Sequence, residues 1–431
     1  MSTHSVPLPE GIHTRAFILG EGAIADLPRL VKENFPGCRP WIVADGNTWR
    51  VAGEQAQALF QAAGLQPHEP RVFPGTPRLH PNYSYSEELA RTMPAAPVVP
   101  VAVGSGVIND LVKCASGLRE VPYCCVATAC SVDGYTSAGG AMSVNGTKKT
   151  VQCPAPYAIC ADTAILATAP APMLASGYAD LLAKLPAGGD WLIADALGED
   201  PITHREWDLI QKPLRGWLAD PHDFRRVFDG LANTGYSMQM KHDSRPASGA
   251  EHLFSHVWEM EGLQCDGEDV SHGFKVGVGS LISNRLLELV RDHAFADFRA
   301  QMRPGLTAAG REAEIAGLLK RGCYGEGIPQ TAMRKFRSGA ALQERREAIE
   351  RLWETMRARL REQLLPTDEL KRMLQAAGCP VSPSQINLDF AQALHGVVTA
   401  QLIRVRYTVI DLFYELGLLQ TVAETVVREL M

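Results

Sequence analysis

Nowhere in these 431 residues is there an unbroken apolar run of the about 18 to 20 residues that a membrane helix needs. A basic block is missing as well. Lys and Arg number 42 against 48 Asp and Glu, a net charge of −6, and non-specific grip on a phosphate backbone needs clustered cations, so nucleic acid is demoted as a partner. The first ten residues carry Pro7 and Pro9 but no basic segment leading into an apolar one; no export signal is expected, and the cytoplasm is the expected compartment. No two of the ten cysteines are spaced C-x-x-C, and several lie in apolar runs such as Val121-Pro-Tyr-Cys-Cys-Val-Ala. They are expected to be reduced packing residues rather than a disulfide framework. There is no tandem repeat and no low-complexity stretch. What is present is 46% hydrophobic and 21% charged residues, which excludes a disordered chain and fits a globular protein of two or three domains.

Two kinds of text follow one another. Pro40-Trp-Ile-Val-Ala-Asp45 is an apolar run ending in the turn cluster Asp45-Gly46-Asn47, and Thr48 to Ala63 then shows helical spacing. Val98 to Val103, Val121 to Thr128 and Ala158 to Ala161 read as further strands. Strand, turn and helix in alternation predict a parallel α/β sheet covered on both faces. From about Pro170 strand signals fade. Gln343 to Leu365 is a long amphipathic helix with a solvated charged face, and Val405 to Gly417 reads as another helix. The expected division is an α/β domain over 1–169 and an all-helical domain over 170–431.

Gly104-Ser-Gly106-Val-Ile-Asn-Asp110 follows the second strand. Glycine admits a phosphate close to the backbone, and a helix N-terminus offers N–H groups and the positive dipole end. The third glycine of G-x-G-x-x-G is absent, because Asn109 stands there. The residues fit either a nucleotide loop or a plain strand-to-helix turn. Asp45 is similarly open: a ribose-binding carboxylate in a dinucleotide fold, or the turn and cap residue that Asp-Gly-Asn favours.

In the helical half, Asp180 lies in the apolar stretch Ala175-Ser-Gly-Tyr-Ala-Asp180-Leu-Leu-Ala-Lys184, where an unpaired charge is costly. His252 and His256 are four apart and share a helical face, and His272 opens a run of small residues. One carboxylate and two imidazoles with an open position form a catalytic metal arrangement. Leu253 follows the first histidine where a metalloprotease has glutamate, so peptide hydrolysis is disfavoured.

Taken together, Gly104-Ser-Gly-Val-Ile-Asn-Asp, Thr128-Ala-Cys-Ser131-Val-Asp133-Gly-Tyr-Thr-Ser137, Val144-Asn-Gly-Thr-Lys-Lys-Thr150, Ala175-Ser-Gly-Tyr-Ala-Asp180, Glu251-His252 to His256, Ser271-His272-Gly and Arg406-Tyr-Thr-Val-Ile-Asp-Leu resemble the sn-glycerol-1-phosphate dehydrogenase family. That family belongs with glycerol dehydrogenase, iron-dependent alcohol dehydrogenases and dehydroquinate synthase. The resemblance runs over about 40 to 280 and again near 390 to 418. It implies a dehydroquinate synthase-like fold with cofactor and metal between two domains, and reduction of dihydroxyacetone phosphate to sn-glycerol 1-phosphate with NADH or NADPH. By the same resemblance Asp45, Gly104, Ser105, Gly106, Val107, Ile108, Thr128, Ala129, Cys130, Ser131 and Ser137 line the dinucleotide, and Asp133 touches substrate. Asp180, His252 and His272 hold one divalent ion, with zinc expected and nickel or iron open. His256 faces the substrate, and a homodimer is the family habit. Two departures stand out. Cys130 replaces a common proline, and Leu185-Pro186-Ala-Gly-Gly-Asp190-Trp191 follows Lys184, with Pro186 expected to interrupt the helix.

The residue types suit that chemistry. A divalent ion polarises a ketone oxygen, and His256 can pass a proton. Lys148 and Lys149 are candidates for the substrate phosphate. The rival readings are a polyol dehydrogenase on an unphosphorylated substrate, a lyase retaining its cofactor, and a non-catalytic relative that keeps only the fold.

Overall fold

The computed structural model describes residues 4–144 and 147–431, with backbone alone at 147 and 148. The described residues form two compact units: those up to 181 with 215–243, and 182–214 with 244–431.

The first unit is built on a six-stranded sheet in the order β1-β8-β5-β4-β2-β3. The strands are β1 (Ala16–Gly20), β2 (Arg39–Asp45), β3 (Arg71–Phe73), β4 (Val98–Gly104), β5 (Cys124–Ala127) and β8 (Ala158–Asp162). Every neighbouring pair is parallel. All seven residues of β4 are buried, which is why it reads as a continuous apolar run: helices cover both faces of such a sheet. Two more strands, β6 (Gly140–Val144) and β7 (Thr147–Val151), pair antiparallel outside it. β5 is shorter than the run from Val121 to Thr128 suggests.

The boundaries differ from a single cut at 169/170. The first unit keeps the helix Ala171–Leu182 up to Leu181, and it also takes helix Phe224–Lys241 from the later half. Aromatic packing explains the second addition. The Phe228 ring lies 6.1 Å from that of Phe17 on β1 and 5.3 Å from that of Tyr135, and Thr136 Oγ1 donates to the Ala232 carbonyl at 2.7 Å. The interruption expected at Pro186 falls at Ala183. A new helix, Lys184–Ala196, begins after it, so Pro186 sits in a first turn, where its missing N–H costs nothing.

The second unit is helical apart from two two-residue strands at Gln264–Cys265 and Glu268–Asp269. At its centre helix His272–Asp292 packs on helix Ala250–Met260. A Cβ at Gly279 would stand 2.7 Å from the Glu251 carbonyl, so glycine lets the two helices touch. The helix read over Gln343 to Leu365 spans Gly339–Gln363. The one read over Val405 to Gly417 is only Val409–Glu415. Thr408 and Asp411 form a capping box that starts it late, the Thr408 N–H donating to Asp411 at 2.9 Å. Among the described residues no helix is long and apolar enough to cross a membrane. None of the ten cysteines is in a disulfide, and Cys323 is exposed and so departs from a packing role.

Candidate functional site

In the first unit the cofactor candidates gather at one edge. β2 runs beside β4, with Val43 opposite Ala102, and β4 beside β5, with Gly104 opposite Ala127. Asp45, Gly104 and Thr128 therefore stand at the carboxyl ends of three adjacent strands. The chain leaves β2 toward β3 on one side and returns to β4 on the other. That reversal is a topological switch point, where open parallel sheets bind their ligands.

Gly104 is required there: a Cβ on it would lie 2.5 Å from the Cβ of Ile108. Helix Gly106–Leu118 starts immediately, and the Ser105 side chain makes no capping hydrogen bond. Its first-turn N–H groups are not capped by that hydroxyl, as an anion site needs. Asp45 adopts the capping geometry. Its Oδ1 accepts from the backbone of Asn47 at 2.8 Å and of Thr48 at 2.9 Å. Thr128 donates its N–H to the Gly104 carbonyl at 3.1 Å. Ala129, Cys130 and Ser131 are buried, and Ser131 Oγ lies 3.2 Å from the Tyr135 hydroxyl. The Cys130 carbonyl lies so close to Gly177 that no Cβ fits there, which accounts for the glycine of Ala175-Ser-Gly177.

Two residues missed in the sequence organise the loop through Asp133 and Ser137. Asn109, in the place of a third glycine, turns its amide toward the carbonyls of Gly134 and Tyr135 at 3.4 and 3.3 Å. Tyr123 donates to Asn109 Oδ1 at 3.0 Å. The buried Lys113 donates to the Gly134 and Gly139 carbonyls at 2.8 and 3.1 Å. Their signal was the spacing 106, 109, 113 on one helical face. Ser137 Oγ donates to the Gly134 carbonyl at 3.2 Å. Asp180, fully buried on helix Ala171–Leu182, accepts from the Asp133 backbone N–H at 2.9 Å through Oδ2. Lys149 is exposed on β7, and the side chain of Lys148 lies outside the described residues.

The second unit brings three histidines together. The His252 and His272 rings are 5.3 Å apart, and His256 is 6.3 Å from His272. Carboxylates back them. His252 Nδ1 lies 2.8 Å from Glu251 Oε1, which also accepts from the Gly249 N–H at 2.6 Å. Glu259 lies 3.5 Å from His256 Nδ1, 3.8 Å from His272 Nδ1 and 3.0 Å from Lys275 Nζ. A carboxylate on Nδ1 leaves Nε2 for a metal, the usual outer arrangement of metal-binding histidines. Burial pushes the His256 imidazole down to about 4 against the pull of Glu259, so it is neutral near pH 7. Glu251 and Glu259 were legible only as neighbours of the histidines on the same helix.

Behind this cluster, buried Asp190 accepts from the N–H of Ala250 and of Val409, each at 2.7 Å. It thereby ties the start of the histidine helix to the start of helix Val409–Glu415.

A six-stranded parallel sheet with a topological switch point makes up the first unit and a mainly helical fold the second, and residues 18–170 match the iron-containing alcohol dehydrogenase family. The fold agrees with that of a probable glycerol dehydrogenase from Sinorhizobium meliloti 1021 (TM-score 0.58, 14% identity, 97% of this chain and 96% of that one). Closer in sequence is the glycerol-1-phosphate dehydrogenase [NAD(P)+] of Bacillus subtilis (strain 168), 32% identical over 280 residues, 62% of this chain and 71% of that one. The enzyme of the same name from Bacillus velezensis is 30% identical over 316 residues, 69% of this chain and 78% of that one. The chain belongs to the glycerol-1-phosphate dehydrogenase family and is an NAD(P)-dependent oxidoreductase.

Proposed function

We propose that the protein reduces dihydroxyacetone phosphate to sn-glycerol 1-phosphate with NADH or NADPH. The reading is carried by its similarity to relatives named for that product across more than two thirds of their length. The dinucleotide lies along Asp45, Gly104 to Ile108, Thr128 to Ser131 and Ser137. The switch point in the strand order and the tight glycine turn support that assignment. Asp45 offers the ribose its second carboxylate oxygen while the first caps the turn.

Asp180, His252 and His272 hold one divalent ion, zinc in the first instance. They offer one carboxylate oxygen and two imidazole nitrogens, a donor set that fits a catalytic site with room for substrate. The buried pairing of His252 with Glu251 supports the fit. When bound, the ion supplies Lewis acidity toward the ketone and the nicotinamide supplies the reducing electrons. Asp133 orients the substrate, its backbone fixed by Asp180. His256, neutral and held through Nδ1 by Glu259, accepts a proton on one nitrogen and releases one from the other. Lys148 and Lys149 meet the phosphate.

The test compares dihydroxyacetone phosphate with dihydroxyacetone, using NADH and NADPH in parallel, on protein stripped with chelator and reloaded with Zn²⁺, Ni²⁺ or Fe²⁺. The expected result is metal-dependent cofactor oxidation with the phosphorylated ketone only. Turnover of dihydroxyacetone at comparable efficiency would move the protein to the polyol dehydrogenases.

A further inference from the structure

Helix Gly106–Leu118 bears, one residue past Lys113, a thiol that the reaction does not use. Cys114 is buried, and its Sγ lies 3.5 Å from that of Cys153, which is half-buried just beyond β7. The two are 39 residues apart and belong to different parts of the chain, yet their sulfurs are in contact. Their surroundings hold them together. The Gly139 N–H donates to the Cys153 carbonyl at 2.8 Å. A Cβ at Gly140 would stand 2.8 Å from Cys114 Sγ, and a Cβ at Gly117 would stand 3.2 Å from the Cys153 Cβ. Gly117 and Gly140 thus pack closely against the two cysteines, and Gly139 holds the Cys153 backbone.

We propose that Cys114 and Cys153 form a redox modification site that closes to a disulfide, with a hydroperoxide as the oxidant. The half-buried Cys153 is the attacking sulfur. The hydrogen bond shared with Cys114, helped by the Lys113 ammonium, holds its thiol below the ordinary value against the effect of burial. Pairing and burial push the Cys114 thiol up, so it keeps its proton for the second step. In the first step the Cys153 thiolate attacks one peroxide oxygen and the O–O bond breaks. Sulfur is oxidised to a sulfenic acid and the other oxygen leaves as hydroxide. In the second, Cys114 attacks the sulfenic sulfur, the S–O bond breaks, the S–S bond forms, and the hydroxyl leaves as water with the Cys114 proton. Two thiol sulfurs lose two electrons in total and one peroxide gains them. The sulfurs close by about 1.5 Å to reach disulfide length, drawing the end of the β6–β7 segment onto the helix that carries the glycine turn.

The test needs no activity measurement, so its failure is separable from failure of the proposed reaction. The full chain is incubated with stoichiometric hydrogen peroxide, alkylated, and digested without reductant. The expected product is one peptide pair joined at 114 and 153, two hydrogens lighter than its parts and abolished by dithiothreitol, with free thiols falling from ten to eight. In Cys153→Ser the joined pair disappears and Cys114 stays alkylatable after unfolding. In Cys114→Ser the reaction stops at a Cys153 sulfenic acid that dimedone traps. Thermal melts of both variants establish that each is folded before it is read, and Cys153→Ser alone suffices if the buried substitution unfolds the chain. Consumption of the exposed Cys323 while 114 and 153 remain thiols would overturn the proposal. So would over-oxidation of Cys153 in the unaltered chain without a cross-link.

Discussion

Asp190 shows how one side chain carries both a structural duty and a pH response. Its two oxygens accept the N–H groups of Ala250 and Val409. Burial first, and the nearby Glu251 second, push its carboxyl up to about 7. The folded state therefore keeps a proton that the unfolded state releases near 3.8, so stability falls as pH rises between those values and levels off above 7. Asp190→Asn removes that titration, and its NH₂ cannot accept, leaving one N–H unpaired at about 1–3 kcal/mol. Denaturant unfolding at pH 5 and pH 8 should show the smaller pH difference in the variant; an unchanged difference would assign the slope to other groups. A second residue-scale test concerns the phosphate. Lys148→Ala with Lys149→Ala should raise KM for dihydroxyacetone phosphate about ten-fold or more, since a charge-assisted hydrogen bond is worth about 1.5–3 kcal/mol. An unchanged KM would remove both lysines from the site. At this scale the sequence was partly legible. Asp45 could be read as a cap because Asp-Gly-Asn is local chemistry, whereas the duties of Asp190 depend on backbone far away in sequence.

Strand positions were read well because a buried parallel strand announces itself as an apolar run bounded by turns. Pro40 to Asp45 and Val98 to Val103 became β2 and β4 within a residue of each end. Helix ends were harder. Val405 to Gly417 has a continuous apolar rhythm, yet Thr408 and Asp411 cap each other and the helix starts four residues late. The least legible element was helix Phe224–Lys241, which lies undivided within the helical half of the sequence but belongs to the first unit. The reason lies in Phe228, fully buried against Phe17 and Tyr135. Phe228→Ala should destabilise by about 3–5 kcal/mol, the range for a large aromatic cavity. Equilibrium denaturation checks it, and a loss under 1 kcal/mol would mean that the helix is not held by this packing.

At the level of the whole molecule, the proposed chemistry uses an ion whose candidate ligands are scattered over 93 residues of sequence, from Asp180 to His272. No local motif announces such a set. The i, i+4 pair His252 and His256 was visible, but spacing alone treats the two as equals. The structure separates their surroundings: Glu251 backs His252, while Glu259 is shared by His256 and His272. If Asp180, His252 and His272 are the ligands, binding stabilises the folded chain by mass action, by about 2.7 kcal/mol when free ion is a hundred times its Kd. Chelator should therefore lower the melting temperature and abolish cofactor oxidation together, and Zn²⁺ should restore both. His252→Ala and His272→Ala should lose the metal-dependent rise in melting temperature as well as activity. On that assignment His256→Ala should keep the rise and lose most of its turnover, because it would stand beside the ligands without being one. Loss of the metal-dependent rise in His256→Ala, with the rise retained in His272→Ala, would exchange the two assignments and make His256 the ligand.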